Sequence, residues 1–530
     1  MIELTKQGAE SGPSVRRTRR VAGTIPMGLV GFVLLPVFAA ADAPSKPKKG
    51  DWPMWGGSTD RNMVSDETRM PTRWDVKKNL NVKWSTPLGS QTYGNPVVSN
   101  GRIFLGTNNE HEYRKHIKGD KGVVLCLDEK TGKFLWQATH DKLPAGRVND
   151  WPEQGICSSP CVDGNRVYYV SNRCELICAD VEGFLDGEND GPFKDEKYHD
   201  REDADFIWVL DMIEDLGVFP HNLATSSPVV AGDLVFVLTS NGVDEGHLHL
   251  PNPEAPDFLA VNKNTGKVVW QRTDSGKKTF HGQWSSPSYG VIGGVPQALY
   301  GAGDGWCYAY NPANGDLLWK FNLNPPDAKY VLGGRGTANE VIATPVIKDD
   351  RVYLCVGQDP EHGEGIGHLY CIDGTKRGDI TESGRVWHRG GEEFHRSIST
   401  CAVIDGLCYA ADLSGFLYCL DARSGSLYWI HDLMAAVWGS PYVVDGKVYL
   451  GTEDGEVIVL EHGKTKKVLA VNDMLNSVYS TPVAANGVLY IANKRMLFAL
   501  VEKGDIPDKP AAAEKPAQGA GASPASRPVE

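Results

Sequence analysis

The residues of this chain that could carry chemistry are histidines, carboxylates and amides in its polar connections. His247 and His249 stand two positions apart; in an extended segment that spacing places both imidazoles on one face, where they could bind one metal ion. No third ligand stands beside them in the sequence. Arg335, Asn339 and Glu340 offer a cation, an amide and a carboxylate, which could hold an anionic ligand or a Ca²⁺ ion. Either group works only if the fold brings the side chains together.

The cysteines are a weaker candidate for a metal site. The chain has eleven, an odd number, so at least one is unpaired. Cys157 and Cys161, like Cys174 and Cys178, stand four apart, and on a strand such residues lie about 13 Å from each other, too far for one zinc ion. Cysteine also alternates with alanine at one repeated position, which indicates a small buried slot. We therefore expect inert thiols, with a disulfide among the residues 157–178 as the alternative.

The elements that position these residues come from a short pattern that occurs eight times. Each copy has a small residue, Ser or Thr, a proline, two apolar residues, a turn and an apolar-aromatic run. Repetition at this scale indicates an array of equivalent supersecondary units. The eight anchors in the proline slot are Pro96, Pro160, Pro228, Pro287, Pro345, Cys401, Pro441 and Pro482.

Each unit is predicted to contain four β-strands. Apolar-aromatic runs alternate with turns in which Asp or Asn precedes Gly, and four strands in a unit of about 40 residues are typical of a propeller blade. The eighth copy stops near Leu500, one strand short, and the missing strand stands before the first copy at residues 81–86. The sequence therefore predicts an all-β, eight-bladed propeller over residues 81–502, closed by an N-terminal strand that completes the last blade.

Tryptophan ends the fourth strand in seven of the eight units, and we expect its ring to pack between neighbouring blades. The seventh unit has Leu469 nearby instead. These structural positions are Trp84, Trp136, Trp208, Trp270, Trp319, Trp387 and Trp429. The run Ala/Cys-x-Asp/Asn-x-x-Thr-Gly-x-x-x-Trp resembles the tryptophan-docking motif of the pyrroloquinoline-quinone (PQQ) repeat propellers, a superfamily that includes quinoprotein alcohol dehydrogenases and BamB-type assembly lipoproteins. The resemblance implies the fold and leaves both enzyme and scaffold open.

Residues immediately before the innermost strands should rim the central channel, so we place the candidate binding residues there. Trp284 and Trp438 are outside the tryptophan slot, which suggests either a flat ligand held between aromatic rings or packing around the channel mouth. The predicted binding residues are Glu153, His221, Asn222, Trp284, Arg335, Asn339, Glu340, His395, Arg396 and Trp438. No catalytic residue is predicted.

A PQQ dehydrogenase would need Arg or Lys and a Ca²⁺ ion to hold the tricarboxylate cofactor. The family's enzymes typically also carry two adjacent cysteines; this chain has no such pair and no Cys-x-x-Cys-His haem motif. We recognise none of their calcium-binding segments. The sequence therefore favours a non-catalytic binding or assembly scaffold, with a PQQ- and Ca²⁺-dependent alcohol or sugar dehydrogenase as the alternative.

The chain ends indicate export. An Arg-rich start and an apolar stretch over residues 1–41 predict a signal peptide, or else an uncleaved signal anchor, followed by a linker and extension over 42–80. Residues 503–530 are predicted to be a disordered Ala/Pro-rich tail. No cysteine follows the apolar stretch until Cys126, so no lipid anchor is expected. The net charge of −13 disfavours nucleic acid. We expect a periplasmic or secreted monomer with an envelope protein, peptide or glycan as partner.

Overall fold

The computed structural model describes residues 48–332, 336–357 and 366–503. Its strands form eight separate sheets, arranged as the blades of a propeller. This confirms the predicted all-β, eight-bladed fold. Beside the strands, the described residues contain one helix, α1 (Met212–Leu216), and single 3₁₀ turns at Gly146–Val148, Gly183–Asp186 and Gly276–Lys278.

Two strands precede the first blade: β1 (Val64–Ser65) and β2 (Val82–Pro87). Blades 1 and 2 contain β3 (Val97–Ser99), β4 (Arg102–Asn108), β5 (Lys121–Asp128) and β6 (Phe134–Asp141), then β7 (Cys161–Asp163), β8 (Arg166–Val170), β9 (Glu175–Asp180) and β10 (Phe206–Asp211). Blades 3 and 4 contain β11 (Val229–Ala231), β12 (Leu234–Leu238), β13 (Phe258–Asn262) and β14 (Val268–Arg272), then β15 (Ser288–Ile292), β16 (Val295–Gly301), β17 (Trp306–Tyr310) and β18 (Leu317–Asn322).

Blade 5 contains β19 (Val346–Lys348), β20 (Arg351–Val356), β21 (Ile366–Asp373) and β23 (Arg385–His395), while β22 (Gly378–Asp379) pairs in parallel with β18 of blade 4. Blades 6 and 7 contain β24 (Ala402–Ile404), β25 (Leu407–Ala411), β26 (Phe416–Asp421) and β27 (Leu427–Asp432), then β28 (Tyr442–Val444), β29 (Lys447–Gly451), β30 (Glu456–Glu461) and β31 (Val468–Asp473). Blade 8 contains β32 (Val483–Ala485), β33 (Val488–Ala492), β34 (Met496–Leu500) and β2.

The N-terminal strand closes the ring as predicted. β2 pairs antiparallel with β34, and Trp84 stands opposite Ala499 in the register in which Trp136 stands opposite Cys126. Blade 8 is thus built from both ends of the propeller, which leaves no open edge between the first and last repeats. In blade 7 the equivalent position is Ala470, opposite Val459, one residue beyond Leu469.

The turn between the last two strands shows why the repeat needs its Asp and Gly. In blade 1 the Asp128 carboxylate accepts hydrogen bonds from the main-chain N–H and the hydroxyl of Thr131. Gly132 follows with φ = +69°, a conformation that costs glycine little. A Cβ atom at Gly132 would lie 2.5 Å from the Trp84 ring, so the tryptophan of blade 8 packs directly on this turn of blade 1.

Most of the slot tryptophans make the same polar contact. The indole N–H donates to a main-chain carbonyl of the next blade at 2.8–3.3 Å in six cases, for example from Trp136 to Val181. Trp319 differs, because its indole donates to Gln297 Oε1 of its own blade at 2.7 Å. A buried tryptophan in this slot therefore contributes both apolar area and a satisfied donor.

The residues just before the anchors link neighbouring blades around the channel. In seven of the eight junctions the main-chain N–H of one blade donates to the side-chain oxygen at the same position in the next, at 2.7–3.3 Å. The acceptors are the side chains of Ser159, Ser227, Ser286, Thr400, Ser440, Thr481 and Asn95. This accounts for the Ser or Thr that precedes the proline slot.

The extension before β2 runs along the innermost strands and contacts all eight blades. Its main chain pairs with Val98 of blade 1 through Trp52, and β1 pairs in parallel with β28 of blade 7. Its Arg61 is fully buried and donates to carbonyls of blades 3 and 4. Blades 2, 5, 6 and 8 are reached through Pro53, Asp60, Asn62, and Gly50 with Glu67, respectively. The extension thus occupies one end of the channel.

All eleven cysteines carry free thiols, so the alternative of a disulfide in blade 2 is wrong. Within the described ranges, no helix is both long and apolar enough to cross a membrane. The predicted signal sequence over 1–41 lies outside the described residues, as do residues 42–47 and the tail from 504 onward.

Candidate functional site

A cavity of about 440 Å³ lies in the channel at the end opposite the extension, where the chain enters the innermost strands. Every blade contributes to its wall through the residue three positions before the anchor. These residues are Tyr93, Cys157, Thr225, Trp284, Ile342, Ile398, Trp438 and Tyr479. The wall also contains Asn95, Gln154, Asn222, Leu223, Gly439, Ser440 and Thr481. The repeat therefore builds the cavity as regularly as it builds the blades.

Three aromatic side chains from consecutive blades form one side of the cavity. The rings of Tyr93 and Tyr479 stack with centroids 5.0 Å apart and an interplanar angle of 2°, and Trp438 packs edge-on against Tyr479 at 5.7 Å. Glu453 holds this group from behind, because it accepts hydrogen bonds from the Tyr479 hydroxyl at 3.1 Å and the Trp438 indole at 3.4 Å. The fixed rings present a flat apolar surface to the cavity.

Trp284 stands on the opposite side, since blade 4 faces blade 8 across an eight-bladed ring. Its indole N–H donates to the carbonyl of His221 at 3.1 Å, and the ring of His281 packs edge-on against it at 5.2 Å. Asn222 beside it has φ = +57°, a left-handed conformation that asparagine tolerates better than most residues. Two fixed aromatic surfaces thus face each other across the cavity.

The extension supplies the remaining wall residue. Trp55 lines the cavity from the end of the channel that the extension occupies, and its indole N–H donates to Thr344 Oγ1 of blade 5 at 3.1 Å. Trp52, three residues earlier, is buried against Tyr442 with ring centroids 5.2 Å apart. Trp52 and Trp55 therefore both hold the extension against the ring. The cavity is therefore a funnel, and Trp55 lies at its inner end.

The titratable groups in the wall stay neutral at physiological pH. Burial raises the pKa of Tyr93 and of Tyr479 above the ordinary phenol value, and the nearby Glu453 carboxylate adds to the effect. Burial also raises the pKa of the Cys157 thiol to about 12. A thiol with that pKa is not a nucleophile near pH 7. The wall can therefore donate hydrogen bonds and stack, but Cys157 cannot start covalent chemistry.

Of the ten predicted binding residues, Asn222, Trp284 and Trp438 line the cavity. His221 is buried directly behind Trp284. Asn339 and Glu340 are also buried; the Asn339 amide donates to the Leu323 carbonyl, and Glu340 accepts from the main-chain N–H of Gly282 at 2.9 Å. These hydrogen bonds thus join Asn339 and Glu340 to Leu323 after blade 4 and to Gly282 before it, respectively.

Three of the other predicted residues lie outside the described wall of the cavity. Glu153 is exposed, with φ = +64°, and Arg396 is buried against Gly357. His395 Nδ1 lies 3.0 Å from Asp412 Oδ2, and Asp412 also accepts from the Tyr418 hydroxyl. Arg335 lies outside the described residues, so the group that it was expected to form with Asn339 and Glu340 stays a prediction.

PQQ does not fit the described wall of this cavity. The cofactor carries three carboxylates and works with a Ca²⁺ ion, so its site needs cationic side chains and oxygen ligands of negative charge. The described wall residues contain no Arg, Lys, Asp or Glu. Glu453, the carboxylate behind the aromatic group, already accepts two hydrogen bonds from it.

The sequence missed Tyr479, Trp55 and Glu453 as residues of this site. Tyr479 could have been found, because it stands three residues before the anchor Pro482, as Trp284 and Trp438 stand before theirs. Trp55 and Glu453 carry no such signal. Trp55 belongs to the non-repeated extension, and Glu453 follows the second strand of blade 7.

The fold and the cavity define an eight-bladed PQQ-like repeat propeller with a funnel bounded by aromatic residues. The family described as outer membrane protein assembly factor BamB matches residues 214–395 and 377–505, more than half of the chain. The chain therefore belongs to this family, which confirms the resemblance drawn from the repeat.

Several relatives carry that name, and two of them show the extent of the match. BamB of Yersinia pestis is 24% identical over 310 residues, which cover 56% of this chain and 66% of that protein. BamB of Salmonella typhimurium is 24% identical over 332 residues, which cover 54% of this chain and 75% of that protein. The match to the first thus spans just under two thirds of its length.

Solved structures show the same fold in enzymes. The quinohemoprotein alcohol dehydrogenase from Comamonas testosteroni superimposes with a TM-score of 0.58 at 13% identity, covering 88% of this chain and 82% of that chain. At that identity the likeness establishes the fold alone.

Proposed function

We propose that this protein is a non-catalytic binding propeller of the cell envelope that acts as a scaffold in the assembly of outer-membrane proteins. Membership of the BamB family supports a role in outer-membrane protein assembly. The observation that favours binding over catalysis is the described wall of the channel cavity, which is aromatic, amide, hydroxyl and aliphatic apart from the protonated thiol of Cys157. Such a wall can hold a neutral group and supplies no general acid or base.

The proposed occupant is an aromatic side chain on an extended segment of an envelope protein. Trp438, Tyr479 and Tyr93 offer a flat surface on one side of the cavity, and Trp284 offers another. Aromatic rings placed between such surfaces gain stacking in addition to apolar burial. A cavity of about 440 Å³ holds one or two side chains, so the rest of the partner would lie on the surrounding loops.

The protein would meet this partner in the periplasm or outside the cell. The signal sequence predicted over residues 1–41 supports export. The net charge of −13 disfavours nucleic acid and anionic membrane surfaces as partners. We propose a monomer, because ring closure through β2 completes blade 8 within one chain.

A fluorescence titration tests the proposal. The full chain is titrated with an unfolded outer-membrane β-barrel protein, and separately with a peptide from it in which one aromatic residue is changed to alanine. Trp284, Trp438 and Trp55 line the cavity, so occupancy should change their emission. We expect saturable binding that weakens by about tenfold or more in Trp438→Ala, as is usual for a central aromatic anchor. Trp306→Ala is the matched control: Trp306 is half-buried on blade 4, where Lys320 covers its ring.

Equal affinities for wild type and Trp438→Ala would place the binding surface elsewhere. If oligosaccharides bound in the same assay and the barrel protein did not, the ligand of the cavity would be a glycan and not a peptide side chain. If the protein bound PQQ stoichiometrically with Ca²⁺ and reduced a dye with alcohols or aldose sugars as substrates, the scaffold proposal would be wrong. The protein would then be the alternative, a PQQ-dependent dehydrogenase.

A further inference from the structure

Three histidines from separate connections meet beside the channel cavity. His221 precedes β11 of blade 3, His247 lies between β12 and β13 of the same blade, and His281 lies between blades 3 and 4. One imidazole nitrogen from each of them lies within 4.8 Å of the others. The rings are 4.2–4.9 Å apart between centroids.

We infer that His221, His247 and His281 form a binding site for a first-row divalent transition metal, foremost Zn²⁺. Three imidazoles are a common ligand set for zinc, and at Zn–N distances of about 2.0–2.1 Å a tetrahedral ion separates its nitrogens by about 3.3 Å. The Nε2 atoms of His247 and His281 are 3.0 Å apart, and the third nitrogen lies within the 4.8 Å limit. Changes of a few tenths of an ångström to about 1.5 Å in these nitrogen–nitrogen distances would let all three imidazoles bind one ion.

A main-chain carbonyl fixes the orientation and tautomer of one ligand. His221 Nδ1 lies 2.8 Å from the carbonyl oxygen of Val243, so Nδ1 carries the proton and Nε2 keeps the lone pair that a metal needs. Metal-ligating histidines in proteins usually have such a second partner. The carbonyl of His281 in turn accepts from the Val243 N–H at 2.9 Å, so one residue of the blade 3 connection orients two of the three ligands.

The site is partly enclosed and has a complementary charge nearby. His221 and His281 are buried, while His247 is half-buried and leaves a side from which an ion and a water molecule could enter. Asp244 stands in the same turn as His247: its carbonyl accepts from the His247 N–H at 3.0 Å, and its carboxylate accepts from the main-chain N–H groups of Leu248 and His249 at 2.8 and 3.2 Å. A carboxylate in the same turn would compensate part of the charge of a divalent ion.

The structure also shows why the pair His247 and His249 is not the site. His247 has φ = +55°, so this segment is a turn and the alternation of an extended strand does not apply. His249 is exposed, and its main-chain N–H donates to Asp244. The partners of His247 come from 26 residues before it and 34 residues after it.

An ion bound here would cross-link the connections of blades 3 and 4 next to the cavity. Trp284, a wall residue, bonds to the His221 carbonyl and packs against the His281 ring. Metal binding would therefore restrain this wall. The inference is independent of the proposed function, because it concerns the ion and not the partner.

Metal binding to the full chain, purified without a polyhistidine tag, tests the inference. We expect one Zn²⁺ per chain by elemental analysis after dialysis, and one Co²⁺ with the intense visible bands of a tetrahedral site. His247→Gln should weaken Zn²⁺ binding, measured by competition with a chromophoric chelator, by about two orders of magnitude, because it removes one of three ligands. His249→Gln, only two residues away, should bind Zn²⁺ like the wild type.

His281→Gln should abolish binding, but His281 is fully buried, so its circular dichroism must match that of the wild type before the result counts. His247 is half-buried, which is why His247→Gln carries the test. Equal Zn²⁺ affinity in wild type and His247→Gln, or no binding by the wild type at micromolar Zn²⁺, would overturn the inference. The 3.0 Å contact would then be an imidazole–imidazole hydrogen bond. Loss of binding in His249→Gln with retention in His281→Gln would point to the sequence pair instead.

Discussion

The main-chain N–H of Thr481 donates a 2.7 Å hydrogen bond to Asn95 Oδ1, which is 386 residues away in the sequence. Asn95 and Thr481 stand directly before the anchors of the first and last repeats, so this bond joins the two ends of the hydrogen-bonded series around the channel. Elsewhere in that series the acceptor is a Ser or Thr hydroxyl, for example Ser159, which accepts from the Asn95 N–H. The asparagine side chain is longer than that of serine or threonine, and its amide oxygen takes the place of the hydroxyl as acceptor at the closing junction.

Replacement of Asn95 by alanine should destabilise the propeller, because it leaves the Thr481 N–H without its acceptor near the channel. We expect a loss of about 1–3 kcal/mol in the free energy of unfolding, the usual cost of a buried donor that loses its partner. Urea melts followed by circular dichroism would measure it. Asn95→Ser restores a hydroxyl of the kind present at the other junctions and should recover part of the loss. If Asn95→Ala matched the wild type, this bond would not contribute to closure.

Trp136→Ala and Trp319→Ala should each lower the free energy of unfolding by about 3–5 kcal/mol, as expected for removal of a large side chain from a filled core. Both side chains are fully buried, and each indole N–H has an acceptor. Binding at the channel cavity should persist in the folded fraction, since neither residue lines it. Trp306→Ala, at a half-buried position of blade 4, provides the control and should cost less than either of them, because less apolar area is lost. Urea midpoints equal to that of the wild type would show that the tryptophan slot is wrongly assigned.

Deletion of residues 81–88 should open the ring. β2 would be lost, β34 would become an unpaired edge, and exposed edges of this kind pair with other chains. We expect oligomers in size-exclusion chromatography with light scattering, together with faster proteolysis of blade 8. Lys83→Ala changes an exposed residue of the same strand and should stay monomeric. A monomeric deletion variant as stable as the wild type would refute closure by this strand.

Asp304 gives a prediction about pH. Burial raises the pKa of Asp304 to about 7, although the Tyr308 hydroxyl donates to its carboxylate at 2.6 Å. In the unfolded chain the pKa is about 3.9, so between about pH 4 and 7 the folded state holds a proton that the unfolded state has released. The stability that this group contributes is present at low pH and is lost as the pH rises to 7, by up to about 1.4 kcal/mol per pH unit.

Asp304→Asn should therefore show a shallower decline in the free energy of unfolding between pH 4.5 and 7 than the wild type. Urea melts at four pH values would measure both slopes. Asp421→Asn is the control: Asp421 has a lowered pKa because the Ser424 N–H donates to it, so its titration lies below this window. Parallel slopes for wild type and Asp304→Asn would show that Asp304 is ionised throughout.

Repetition made the fold predictable from the sequence and made half of the cavity predictable in principle. Eight anchors, seven of them followed at the same offset by an aromatic residue, led to eight blades, and the missing strand after Leu500 led to β2. The same counting places Tyr479 with Trp284 and Trp438, because a closed ring turns equal sequence offsets into equal heights in the channel.

Residues outside the repeat could not be placed in this way. His221, His247 and His281 belong to insertions of different length, so their meeting depends on loop conformation, such as the left-handed turn at His247. The path of the extension depends on main-chain and side-chain contacts spread over all eight blades, which no offset encodes. Arg61 is the clearest case, since an arginine in a polar N-terminal segment would ordinarily be read as exposed.

We expect the position of the extension in the channel to depend most on the buried side chain of Arg61. Its Nε donates to Pro287 at 2.8 Å, its Nη1 to Trp55 at 2.6 Å, and its Nη2 to Ser227 and Pro228 at 2.9 and 3.0 Å, all at main-chain carbonyls. Burial lowers the pKa of Arg61 to about 10, so the group stays charged at pH 7 and its four bonds are charge-assisted. Arg61→Ala removes them together.

We expect Arg61→Ala to cost about 3 kcal/mol or more in the free energy of unfolding and to release the extension from the channel. Release would expose Trp55, so the tryptophan emission should shift to the red and protease should cut between residues 48 and 60. Arg61→Lys keeps the charge but loses the planar fork, and should give an intermediate loss. Arg69→Ala, at an exposed position of the same segment, should change neither stability nor protease sensitivity. If Arg61→Ala and Arg69→Ala behaved alike, the extension would be held by its main-chain pairing alone, and the floor of the cavity would not depend on this side chain.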